Sequence, residues 1–155
     1  MPTIEIDLVG KRLKLSTRSR YGLRLMIALA RSRGSGPRLL KEIADTENLS
    51  EKYLGQLVIP LKSAGYIRAV RGAKGGYEIS RDPALVSPLE IIHLLEGDLF
   101  TEEHLEPGSP GSLKVTTKLW ESLRDSFSQI LSSVTLADLA REAEALESQS
   151  AMYII

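Results

Sequence analysis

Few residues in this sequence could do covalent or metal chemistry. There is no cysteine, which removes thiolate nucleophiles, disulfides, thiol redox sensing and sulfur-ligated metals together. Of the two histidines, His93 stands amid apolar residues and reads as a helix-surface or satisfied boundary residue, and His104 lies in an acidic stretch. A hydrolytic triad or a multi-histidine zinc site is hard to assemble from that set. Asp98, Glu102, Glu103, His104 and Glu106 are oxygen and imidazole donors of the kind that hold a hard or borderline divalent ion. Acidic loops are more often simply solvated, and no metal site is assigned. The run Gly72-Ala73-Lys74-Gly75-Gly76 lacks the Gly-Lys-Ser/Thr ending of a nucleotide-binding loop and leads into a strand pattern instead of a helix. With no nucleophile and base to pair, the chain reads as non-enzymatic, and no cofactor is called for.

Binding chemistry is better represented. The net charge is zero, but residues 1–85 carry 16 Lys plus Arg against 8 Asp plus Glu, whereas residues 86–155 carry 4 against 12. The halves therefore bear +8 and −8. A basic half is what a phosphate-binding surface needs, because neutralising phosphates releases condensed counterions; the alternative is a basic surface that is merely solvated. Within that half, Lys52, Tyr53 and Gln56 fall near the start of a helical pattern. Gln can address adenine with two hydrogen bonds, and Lys can reach guanine or phosphate. Tyr53 lies at the margin of the apolar face, so core packing and a phosphate contact both remain open for it, and Gln56 reads either as a base contact or as an exposed polar residue. Arg71 and Lys74 flank the glycines of the loop and suit phosphate or minor-groove contact.

The elements that must position these residues follow from periodicity. Ile4, Ile6 and Leu8, then Leu13 and Leu15, alternate as in a marginal hairpin. From Ser16-Thr17 a mostly apolar helix built on Tyr21, Leu25, Ala28 and Leu29 runs to the breakers Gly34-Ser35-Gly36-Pro37. A short helix over Leu40–Glu47 faces Leu40, Ile43 and Ala44 inward. After Asn48-Leu49, Ser50 caps a third helix with Leu54, Leu57, Val58 and Leu61 on one face and Gly65 as its stop; Gly55 and Pro60 run against helix propensity, most of all in the last turn. Strands at 66–71 and 77–79 enclose the glycine loop as a hairpin. Residues 88–96 form a fourth helix, with Leu89, Ile92 and Leu95 or Ile91 inward and Gly97 at its end.

Helix, helix, turn, helix and hairpin is the order of a winged helix-turn-helix. Beyond the loop at 98–112, Leu113, Thr116, Trp120, Leu123, Phe127, Ile130 and Val134 recur at steps of three and four, the seam of about three heptads. That stripe packs either against a second copy or against the first helix of its own chain, and Leu119 and Leu131 supply a second stripe that lets both hold. Thr135 caps a last helix, Leu136 to Leu146, before an apolar tail.

The quoted residues resemble a known family. Lys14-Leu15-Ser16-Thr17 leading to Arg20-Tyr21, Leu40-Lys41-Glu42-Ile43-Ala44, Ser50-Glu51-Lys52-Tyr53-Leu54, Leu61, Gly65, Val70-Arg71-Gly72-Ala73-Lys74-Gly75-Gly76-Tyr77, Leu119-Trp120 and Thr135-Leu136-Ala137-Asp138-Leu139 are similar to the Rrf-type regulators, the group of IscR, NsrR and CymR. The resemblance spans about residues 14–140. It implies a homodimer whose long C-terminal helices cross, with paired winged helices on a pseudo-palindromic operator, recognition by Lys52, Tyr53 and Gln56, and Arg71 in the wing. Three departures stand out. Gly55 replaces a longer polar or acidic side chain, so operator preference does not transfer. The three cysteines that bind an iron-sulfur cluster in many relatives are absent, so sensing does not transfer either. Relatives commonly begin near Lys14, which makes residues 1–13 an extension or the product of an upstream start.

The sequence thus leads to a mainly α fold with a small β wing, divided into an N-terminal extension (1–13), a winged helix-turn-helix domain (14–97), an acidic loop (98–112) and a dimerisation helix with C-terminal segment (113–155). The expected DNA-contacting residues are Thr17, Arg18, Arg20, Ser50, Lys52, Tyr53, Gln56, Arg71 and Lys74. Trp120, Leu123, Phe127, Ile130 and Val134 are expected at the dimer interface. The partners expected are duplex DNA, a second copy, and a small-molecule or protein effector, with no membrane. No apolar stretch is long enough to span a bilayer and no signal peptide is evident, so the cytoplasm is the expected compartment. The rival reading is a winged-helix module whose basic face meets a protein.

Overall fold

The computed structural model describes residues 14–154; the alternating stretch 4–13 and Ile155 lie outside the described residues. The elements follow in the order α1 (Thr17–Arg31), α2 (Leu40–Glu47), α3 (Glu51–Ser63), β1 (Ile67–Val70), β2 (Gly76–Ile79), a 3₁₀ turn at Pro83–Leu85, α4 (Pro88–Glu96), α5 (Gly111–Ser132) and α6 (Leu136–Met152). β1 and β2 pair antiparallel, with Ile67 opposite Ile79 and Val70 opposite Gly76.

α1 is the hub. Leu25, Met26, Ala28 and Leu29 are buried, and so is Gly22. An ideal Cβ on Gly22 would come within 2.1 Å of Leu95 Cδ1, so the missing side chain is what lets α4 lie against α1. The inward face of α4 is Ile91, Ile92 and Leu95, with Leu89 half-buried; the expected inward role of Leu89 is thereby corrected, because Ile91 takes the deep position. α3 buries Leu54, Leu57, Val58 and Leu61, the four residues of the expected face. Its last turn survives Pro60. The proline cannot donate to the Gln56 carbonyl, but its own carbonyl still accepts from Ala64 at 3.0 Å. Gly65, at φ 79°, then closes the helix, and the Tyr66 amide returns to the Leu61 carbonyl at 2.9 Å, as in a left-handed C-terminal cap.

The wing is tied to the rest of the protein by a contact that the local pattern does not reveal. The amide and carbonyl of Arg38 exchange two 2.8 Å hydrogen bonds with Tyr77. Gly76 permits this approach, since a Cβ there would fall 2.5 Å from the Arg38 carbonyl oxygen. At the hairpin base, the Arg81 guanidinium lies 4.0 Å from the Tyr66 ring centroid and donates to the Ala64 carbonyl at 2.8 Å.

The stripe on the long helix and the cover over α1 turn out to belong to different helices. α6 packs along α1, contributing Leu136 and Ala140 to the core. Its start is held by a reciprocal cap between Thr135 and Asp138 and by the Leu136 amide on the Val86 carbonyl at 2.9 Å. It continues to Met152, past the expected end at Leu146. α5 meets α4 but buries only Thr117 along its own length. No described helix is long and apolar enough to cross a membrane.

Candidate nucleic-acid interface

Three chain segments carry the expected DNA contacts, and each is set by a local device. Ser16 caps α1, its hydroxyl accepting from the Ser19 amide at 3.3 Å, which leaves Thr17 and Arg18 exposed in the first turn and Arg20 half-exposed. Ser50 caps α3 in the same way, accepting from the Tyr53 amide at 3.2 Å, and is itself exposed. Lys52 and Gln56 are exposed on the outer face of α3. Arg71 and Lys74 are exposed on the wing, where Gly72 holds φ 115°, a conformation that side chains rarely adopt.

Tyr21 gathers two of these segments. The Tyr53 ring meets the Tyr21 ring edge-on at 5.8 Å, and the guanidiniums of Arg20 and Arg24 each lie 5.9 Å from the Tyr21 centroid. The body of Tyr53 is therefore packed against the core, and of the expected base-reading side chains on α3 it is Lys52 and Gln56 that project. Arg24 is further engaged by Glu47 at 2.9 Å, which ties α1 to the end of α2. No described hydrogen bond or ion pair joins the wing residues Arg71 and Lys74 to this group.

The basic residues sort into two classes. Arg24, Arg31, Arg33, Arg38, Arg68 and Arg81 are each paired with a carboxylate. Arg18, Arg20, Lys52, Arg71 and Lys74 have no ion-pair partner among the described residues, as is also true of Lys14, Lys41 and Lys62, and Arg18 stands close enough to Glu96 for the two charges to interact. The paired arginines brace the fold: Arg33 reaches Asp82 at 2.8 Å, and Arg68 reaches Glu78 across the hairpin at 2.7 Å.

Electrostatics also mark two acidic positions. The Glu96 carboxylate is held below its usual range chiefly by the hydroxyls of Ser16 and Ser19, which cap it from α1. Burial, with the adjacent Glu90 carboxylate, pushes the Tyr66 phenol up; the phenol donates to Glu90 at 3.2 Å.

The expected interface residues lie along α5. Trp120, Leu123 and Ile130 are exposed, as are Val115 and Leu119, while Phe127 and Val134 are half-buried. Phe127 leans on Phe100 of the loop, edge-on at 5.6 Å. Between the loop and α5 opens a cleft of about 570 Å³ walled by Phe100, Glu102, Glu103, His104, Trp120 and Arg124 among others. Glu103 accepts there from the Thr117 hydroxyl at 2.9 Å.

A family model described as "Rrf2: Iron-dependent Transcriptional regulator" matches residues 15–142, which takes in every segment just described. The chain belongs to the Rrf2 family of transcriptional regulators. It is 43% identical over 142 residues to the HTH-type transcriptional regulator CymR of Bacillus subtilis, covering 92% of this chain and all of that protein. Among solved structures it is similar to IscR of T. potens, at 39% identity and a TM-score of 0.74 over 90% of this chain and 93% of that one. It is also similar to the oxidised form of CymR from Staphylococcus aureus, at 47% identity and a TM-score of 0.67 over 83% and 96%. The fold is a winged helix, and the protein is a DNA-binding transcriptional regulator. The family description names iron, but the donor set does not fit a cluster. The sequence has no thiol, and the described residues hold no group of three or more metal-ligating side chains.

Proposed function

We propose that this regulator is a cytoplasmic homodimer that represses transcription by occupying a pseudo-palindromic operator. α3 reads base edges through Lys52 and Gln56, with Tyr53 and Ser50 beside them. Thr17, Arg18 and Arg20 at the start of α1, with Arg71 and Lys74 in the wing, hold phosphate. What carries the reading is the sorting of charge: five of the nine expected contacts are cations free of ion pairs among the described residues, while the neighbouring arginines are held by carboxylates. Cations not tied up in ion pairs are what counterion release requires.

Pairing would fall to α5, whose exposed Trp120, Leu123 and Ile130 form an apolar stripe that a second copy covers by two-fold symmetry. In this reading the segment 14–97, with α6 packed on its α1, is the DNA-binding domain and α5 serves assembly, and the loop at 98–112, with its cleft against α5, is where a small molecule or partner protein acts. The relative of known structure from B. subtilis is described as a global cysteine regulator, so DNA upstream of cysteine-supply genes is the first probe to try, beside the DNA upstream of this protein's own gene.

Footprinting on both should reveal a two-fold symmetric site, with half-sites one or two helical turns apart and an affinity that falls steeply with salt. Protein that remains monomeric and shows no salt-sensitive binding would overturn the proposal and favour a protein-binding role for the basic face.

A further inference from the structure

α4 ends at Glu96, and this last helical residue turns back to the beginning of α1. Its carboxylate accepts from the Ser16 amide at 3.3 Å to each oxygen, from the Ser16 hydroxyl and from the Ser19 hydroxyl. Ser19 is completely buried, and Ser16 is the residue that caps α1. One carboxylate therefore gathers both serines of the turn that carries Thr17 and Arg18. The backbones are pressed together one helical turn further on, where Leu95 fills the space above Gly22. Gly97, at φ 81°, follows directly and opens the loop that walls the α5 cleft.

A capping interaction that served only to end a helix would need one acceptor from the chain's own cap, and Ser16 already supplies that to Ser19. The additional carboxylate comes from a residue eighty positions away. It fixes the direction in which α1 starts relative to α4, and hence where the exposed side chains of the first turn stand. Charge-assisted hydrogen bonds of this kind are shorter and stronger than neutral ones.

We propose that Glu96 is a positioning residue for DNA binding, clamping the first turn of α1 so that Thr17, Arg18 and Arg20 meet the phosphate backbone. The inference rests on the reading of that turn as a phosphate contact. It also gives the loop a route to the DNA-binding surface, because a shift beginning at Gly97 reaches α1 through one side chain.

The experiment uses the full chain, a duplex carrying the footprinted site, and a random duplex of equal length. Glu96→Gln keeps the size of the side chain but replaces one acceptor by a donor facing two hydroxyls. It should remain a folded protein of unchanged oligomeric state and bind both duplexes more weakly. The plot of log affinity against log salt should flatten by roughly 1 to 2, since each phosphate contact contributes about 0.9 to that slope and a dimer carries two copies of the turn. Glu96→Asp, which retains charge but loses reach, should fall between. Ser19→Ala should show the same flattening, and the double variant should be no worse than Glu96→Gln alone, as partners in one contact are not additive; it also serves if Glu96→Gln does not fold.

Lys52→Ala separates the inference from the reading beneath it. If that variant weakens binding while the Glu96 and Ser19 variants leave affinity and slope unchanged, the clamp is structural and the inference fails, with the DNA reading intact. If Glu96→Gln binds more tightly at an unchanged slope, Glu96 is merely a negative charge near DNA, and the inference fails again. Wild-type protein without salt-sensitive binding removes both.

Discussion

Replacing Ile130 by glutamate should leave an isolated protomer almost untouched and dismantle a dimer. Ile130 is 66% exposed and lies in the last third of α5, so the new carboxylate would stay hydrated in a single chain. In a symmetric pair joined through α5 the same position is covered twice. Full burial of an isoleucine side chain is worth about 1.5–3 kcal/mol, and about two-thirds of that is still available to a partner here. Two copies lose roughly 2–4 kcal/mol of association before any cost of desolvating the carboxylates is counted. At about 1.4 kcal/mol per tenfold, the dimer should weaken at least about 30- to 700-fold, and more for each carboxylate left unpaired in the interface.

Sedimentation over a range of concentrations reads the association, and thermal unfolding of the monomeric species reads the fold. Phe127→Glu is the contrasting case: Phe127 also packs on Phe100, so that variant should lose some protomer stability as well. A folded Ile130→Glu protein that remains dimeric at micromolar concentration would show that α5 is not the pairing surface. A variant that unfolds outright would place the stripe in the protomer core, against the exposure found for it.

The recognition surface can be tested by comparing Gln56→Ala with Arg71→Ala and Lys74→Ala at fixed salt: the first should cost ~1–3 kcal/mol on the cognate site and little on random DNA, the others should weaken both, and equal losses everywhere would show that α3 does not read sequence. Gly55 is helical with nothing within 4 Å of an added Cβ, so Gly55→Ala should raise stability by up to about 1 kcal/mol; a drop in the unfolding midpoint would refute the open-space reading. Glu96 has its carboxyl held below the ordinary range by Ser16 and Ser19, so its contribution is full above the unfolded glutamate value of about 4.3 and is lost as pH falls through the lower folded one. Stability in Glu96→Gln should accordingly respond less to acid below about pH 4, and an unchanged acid limb would refute the hydrogen-bonding role. Protein purified without oxygen should show no visible cluster absorbance and no stoichiometric iron, because no thiolate is present to hold a cluster; DNA affinity should likewise ignore thiol oxidants.

Much of the winged helix is written in local pattern. The face Leu54, Leu57, Val58 and Leu61 of α3, the caps at Ser50 and Thr135, and the glycine wing follow from helical period, short polar side chains and backbone freedom, which act within a few residues and need no knowledge of the fold. The alternation of exposed Lys52 and Gln56 with buried neighbours is legible for the same reason. The absence of cysteine likewise settles by composition what chemistry the loop cannot do.

Contacts between distant segments were decided only in three dimensions. Periodicity marks an apolar stripe without naming its partner, so it could not say that α6, through Leu136 and Ala140, covers α1 while α5 keeps Trp120, Leu123 and Ile130 in solvent. Nor could spacing show that Tyr53 would set its ring against Tyr21, that Arg38 would pair with Tyr77 and pin the wing, or that Glu96 would reach back to Ser16 and Ser19. Each of these depends on where whole helices come to rest, which is set by the close packing of side chains from several segments at once.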